Sequence, residues 1–144
     1  MTKYPNLNLG YGEYRKLTYD EKKSIQGYSS RRYKYVVTKP FTLVENDTRL
    51  TIPRGFLTDG STGGPDWGCS WVYHDYLYCS HGYNSGERID RRDADRLMSI
   101  ILKTERRPIY RAVFRFLSKL NPFRLFSKAW INGGIQGPQY LKNY

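Results

Sequence analysis

The stretch Trp71-Val72-Tyr73-His74-Asp75-Tyr76-Leu77-Tyr78 sets a histidine directly beside an aspartate in an aromatic-rich setting. On a helix, His74 and Tyr78 stand one above the other, Trp71 lies one turn before, and Asp75 points about 100° away. The two neighbours therefore need not pair with each other. They suit two tasks: the imidazole takes a proton from water, and the carboxylate binds a cation beside it. A neutral histidine in that role needs a partner that fixes its tautomer. Asp95, 21 residues on, is the candidate. Tyr78 would donate its hydroxyl to the same carboxylate, completing a buried His–Asp–Tyr network that is costly when half satisfied. The same histidine, aspartates and tyrosine would also serve as a polar clamp between two helices, and periodicity leaves both readings open.

Metal chemistry is constrained by residue type. His74 and His81 are the only histidines, and no CxxC or HExxH spacing accompanies them, so zinc is a poor fit. Calcium takes oxygen ligands at about 2.3–2.6 Å from carboxylates and backbone carbonyls. Asp75 offers a carboxylate. The segment TDGSTGGPDWG, residues 58–68, offers Asp59 and, at Gly60, Gly63 and Gly64, a backbone able to turn carbonyls inward. A plain turn is the simpler reading of that segment.

These residues need elements to position them. Residues 1–30 are polar and read as an irregular arm, with a short helix around 19–25. Alternation and β-branching predict strands over 33–37, 41–44 and 49–52, with a very short fourth at Phe56-Leu57. Pro40 and Pro53 interrupt them. A helix from about 66 to 80 follows the glycine-rich segment, with Asp66 as its N-cap. Asp90 caps a second helix to about 106, whose stripe is Ala94, Leu97, Met98, Ile101 and Leu102. If those two helices pack antiparallel, Asp95 faces His74. Pro108 starts a third helix to about 120. Its apolar face is Ile109, Val113, Phe116, Leu117 and Leu120, with Arg111, Arg115 and Lys119 along another side. Asn121-Pro122 stops it. A short helix over 123–130 and a glycine-rich, extended tail complete the chain. Strands first and helices after them make an α+β domain, a small antiparallel β meander followed by three or four helices. The expected division is an arm at 1–30, a single domain at 31–120, and a short helix with a tail at 121–144.

The chain has 144 residues, of which 39% are apolar and 16% aromatic. A domain of this size buries roughly two thirds of its unfolded surface, so it needs no covalent staples. Cys69 and Cys79, if both on one helix, stand about 15 Å apart, beyond disulfide reach. No apolar run reaches about 18 residues, and the start lacks the apolar core of a signal peptide. The formal charge is +11, from 24 basic and 13 acidic residues. That excess favours an anionic neighbour without naming one.

Three ordered segments resemble a phage and bacterial family, the domain of unknown function numbered 1353. They are Gly55-Phe56-Leu57-Thr58-Asp59-Gly60-Ser61, then His74-Asp75-Tyr76-Leu77-Tyr78, then Ala94-Asp95. The likeness spans roughly residues 35 to 105 and implies a viral or phage setting, with a virion or host-cytoplasm location as the expectation. The histidine helix is also similar to the core of secreted-type and capsid-borne phospholipases A2. That resemblance implies that His74 activates a water and Asp95 holds the imidazole. It implies that Tyr78 supports Asp95 and that Asp75 binds calcium with carbonyls of the glycine-rich segment. The sequence departs from the phospholipase pattern in two ways. Its glycine-rich segment begins only about sixteen residues before His74 and carries the extra Asp59, and the disulfides of the secreted enzymes are absent.

Partners follow from charge. The pairs Arg31-Arg32, Arg91-Arg92 and Arg106-Arg107, with the basic third helix, suit an anionic bilayer or non-specific phosphate contact. No sequence-specific DNA-reading motif is present. The aromatic tail from Trp130 is suited to dock into a neighbouring subunit, among other virion proteins. The expectation is a virion-associated protein on a phospholipase A2-like domain. The alternatives are a calcium-dependent lipid ester hydrolase that aids membrane penetration and a basic genome-contacting protein.

Overall fold

The structure is a computed structural model that describes residues 7–25, 33–45, 48–60, 68–84, 86–142 and 144. Its class is α+β, with small antiparallel strands followed by helices. The elements are β1 (Leu7–Leu9), β2 (Glu13–Lys16), α1 (Tyr19–Ser24), β3 (Tyr35–Lys39), β4 (Phe41–Glu45), β5 (Thr48–Ile52), β6 (Leu57–Thr58), α2 (Ser70–Ser80), α3 (Arg91–Thr104), α4 (Pro108–Leu120) and α5 (Leu125–Gln136). A 3-10 turn, Pro122–Arg124, joins the last two helices.

The strands sort into two three-stranded sheets, ordered β1-β4-β5 and β2-β3-β6. Pro40 sits between β3 and β4, where the chain leaves one sheet for the other. A residue without an N–H cannot continue a ladder. Alternation does the rest. Phe41 opposes Ile52 and Leu43 opposes Leu50 across β4 and β5, and all four are buried. The period of two therefore turns directly into one packed face.

The reading of residues 1–30 as irregular needs correction. The short helix is there, closed by a capping box between Thr18 and Glu21. Ahead of it, however, β1 pairs with β4 and β2 pairs with β3, so this segment contributes an outer strand to each sheet. Gly10 and Gly12 carry the crossing. A Cβ at Gly10 would run into the Thr42 carbonyl oxygen, and one at Gly12 into the carbonyls of Lys39 and Pro40. Without side chains, the link packs onto the β3–β4 corner.

Helix α2 is buried on most of its circumference, at Ser70, Trp71, Val72, Tyr73, Tyr76, Leu77 and Tyr78. A helix apolar nearly all round belongs inside, and this one runs between the sheets and the other helices. Trp71 meets Tyr14 and Tyr35 at ring distances of 4.9 and 5.3 Å, and Phe56 meets Tyr76 at 5.0 Å. The predicted stripe of α3, from Ala94 to Leu102, is buried as expected. Its capping box joins Asp90 and Asp93.

Three further expectations change. Helix α2 begins at Ser70 with Cys69 as N-cap; Asp66 lies outside the described residues. The last helix runs to Gln136, well beyond 130, and takes in Gly133 and Gly134. The tail docks on its own chain. Leu57 N donates to Gln139 O at 2.9 Å and Leu141 N donates to Gly55 O at 2.8 Å, which adds a short bridge beside β6.

Candidate active site

The site is built where α2, α3 and α4 meet. At the start of α2, the Cys69 N–H donates to Glu105 Oε2 at 3.0 Å. An acceptor carboxylate at a helix N-terminus satisfies an orphan donor and complements the dipole. It also fixes where α2 begins against the end of α3. One turn into α2 stands His74, and one turn further stands Tyr78. Both reach Asp95 in the second turn of α3.

His74 Nε2 donates to Asp95 Oδ1 at 2.7 Å, and the Tyr78 hydroxyl donates to the same oxygen at 2.6 Å. The expected His–Asp–Tyr network is thus assembled. The second oxygen of Asp95 is also committed. Arg91 Nη1 donates to Oδ2 at 2.8 Å and the Ser118 hydroxyl at 2.6 Å. Neither is singled out as a site residue by the sequence reading. Arg91 lies four residues before Asp95 on one helix, a spacing that places the two side chains together, so its signal was present. Ser118 comes from α4, and nothing local to its sequence marks it.

Asp95 keeps only 8% of its side-chain surface exposed. Burial opposes its ionisation. Hydrogen bonds from His74, Ser118 and Tyr78, with the nearby imidazole charge, outweigh that and hold the carboxyl below its ordinary value. Tyr78 moves the other way. Burial first, and then the Asp95 charge, push its hydroxyl well above the usual phenol range. The tyrosine therefore stays a donor to an ionised carboxylate.

With Nε2–H committed to Asp95, a neutral His74 carries its lone pair on Nδ1. Among the described residues Nδ1 has no hydrogen-bond partner. The ring is held by Tyr78 at 4.2 Å and, edge-on, by Phe114 at 5.3 Å. Its side chain remains 17% exposed. An oriented imidazole with an available lone pair is the arrangement a general base requires.

The residues expected to hold calcium lie on separate elements. Asp75 is half-buried on α2 and Asp59 is half-buried after β6, and both engage partners. Gly60 is buried at φ +83° and donates its N–H to Thr58 Oγ1 at 3.2 Å, a conformation that favours glycine. Gly63 lies outside the described residues. Among the described residues no three His, Cys, Asp or Glu side chains converge as a metal site. The donor chemistry, two carboxylates and a glycine turn, is the hard-oxygen type that calcium takes. His81 has a different task. It stacks on Trp130 at 3.7 Å and donates from Nε2 to the Trp130 carbonyl at 2.8 Å, docking α5 onto the end of α2.

Comparison of the chain with family models, curated proteins and solved structures returns no match.

Proposed function

We propose that this chain is a virion-associated protein of phage or viral type, built on a phospholipase A2-like helix pair, in which His74 is a general base for ester hydrolysis. The observation that supports the chemistry is the oriented imidazole: Nε2 fixed by Asp95 at 2.7 Å, with Nδ1 left to accept a proton. In the step proposed, Nδ1 takes a proton from water as the water oxygen bonds to the ester carbonyl carbon. Collapse of that adduct breaks the bond to the alcohol, and the imidazolium returns its proton to the leaving oxygen. Asp95 stabilises the imidazolium without itself being protonated, and its depressed pKa suits that task. A calcium ion held by Asp75 and Asp59 with main-chain oxygens would polarise the carbonyl.

A second reading has its own support. Asp95 accepts from residues of three helices, His74 and Tyr78 of α2, Arg91 of its own α3 and Ser118 of α4. Such a node would clamp the helices of a purely structural virion protein.

Phospholipid and small-ester hydrolysis with calcium present, measured on the wild type and on His74→Gln, separates the two. Activity abolished in a folded His74→Gln supports the base. A folded wild type without ester hydrolysis overturns it and leaves the clamp.

A further inference from the structure

Helix α4 is turned against its own pattern. Ile109, Val113, Phe116, Leu117 and Leu120 recur at helical spacing, as a core-facing stripe should. In the fold this stripe points outward, with Ile109 79% and Phe116 63% exposed. The helix attaches by a different side. Phe114 is buried, Arg111 Nε donates to Ser99 Oγ at 3.1 Å, and Ser118 donates to Asp95. The outward stripe spans about 17 Å along the helix. Exposed Arg115 and Lys119 run beside it.

Charge decides what covers this stripe. After Glu105 the chain carries eight lysines and arginines and no aspartate or glutamate. A second copy placed stripe to stripe would bring like charges together. A nucleic acid would engage the basic side chains but would leave Ile109, Phe116 and Leu120 facing polar phosphates. An anionic bilayer satisfies both halves of the surface, since apolar side chains enter the acyl boundary while basic ones meet headgroups.

We infer that the outward face of α4 is a docking surface for an anionic lipid bilayer, independent of any chemistry at His74. The apolar side chains anchor and the basic ones select. Binding would lay α4 in the interfacial plane; no helix among the described residues is long and apolar enough to cross a membrane.

The test is co-sedimentation of the full chain with vesicles of phosphatidylcholine alone and of phosphatidylcholine with phosphatidylglycerol. The expected result is at least a tenfold preference for the anionic vesicles. The double variant Ile109→Ser, Phe116→Ser should lose most of that binding while keeping the wild-type circular dichroism spectrum, because both side chains are exposed. Leu120→Ser gives a second, milder reading. In Phe116→Trp, emission should shift to the blue on addition of anionic vesicles. The inference is overturned by absence of binding to anionic vesicles, or by binding that Ile109→Ser, Phe116→Ser leaves unchanged, which is adsorption by charge alone. It is equally overturned if the wild type sediments as a dimer that this variant dissociates, or if duplex DNA displaces the vesicles and its own binding depends on the same apolar residues.

Discussion

His74 Nε2 lies 2.7 Å from Asp95 Oδ1, and the other oxygen of Asp95 is held by Arg91 and Ser118. The carboxylate is thus the hub of the three-helix junction as well as the partner of the imidazole. Asp95→Asn removes the charge and converts acceptor capacity into a donor facing Arg91 and Ser118. We expect a loss of about 3–5 kcal/mol of stability, the range for breaking a buried ion pair, read by urea denaturation. Ser118→Ala removes one donor only and should cost about 1–2 kcal/mol. Equal, small effects would show that the hub contributes little.

Acid should release the same hub. Asp95 titrates below its ordinary value of 3.8 in the folded protein. On acidification the unfolded chain therefore binds that proton first. The stability Asp95 contributes is full above its ordinary value and is lost as pH falls through it towards the lower folded value. Urea midpoints measured between pH 6 and pH 3 should fall for the wild type and stay flatter for Asp95→Asn.

Helix α5 docks through glycine. A Cβ at Gly133 would strike the Tyr78 carbonyl oxygen, and one at Gly134 the His81 ring. In an isolated helix Gly→Ala gains about 1 kcal/mol. Here Gly133→Ala should destabilise despite that gain, lowering Tm and altering the fluorescence of Trp130, which stacks on His81. A higher Tm would show that the close approach does not constrain α5.

The first strands are integral to both sheets. Gly12→Ala would drive a methyl into the carbonyls of Lys39 and Pro40. Thermal unfolding should show a clear loss of Tm, whereas a dispensable arm would tolerate the change.

Calcium binding is open to a direct reading. Isothermal titration of the full chain should show uptake in the micromolar to millimolar range that Asp75→Asn abolishes. A folded wild type without uptake would remove calcium from the proposed reaction and leave the His74–Asp95 pair to stand on the hydrolysis assay.

Much of this was legible in the chain because it depends on neighbours a few residues apart. The Asp90 cap, Pro108 at the first turn of α4, the buried stripe of α3 and the alternation of β4 and β5 are local terms. The His74–Asp95–Tyr78 network could also be anticipated, since helical spacing puts two members on one face and a short connection returns the third. Tertiary structure decided the rest. Which strand edge receives Leu7–Leu9 or Gln139–Leu141 depends on which edges remain unpaired, and no window of sequence contains that information. Gly133 and Gly134 read as helix breakers until α2 lies against them and makes the missing side chains necessary. Ser118 joins the site, and Ile109 and Phe116 face outward, because the rotation of α4 is set by its contacts with α3. Local periodicity proposes a buried face, but the packing partner decides which face is buried.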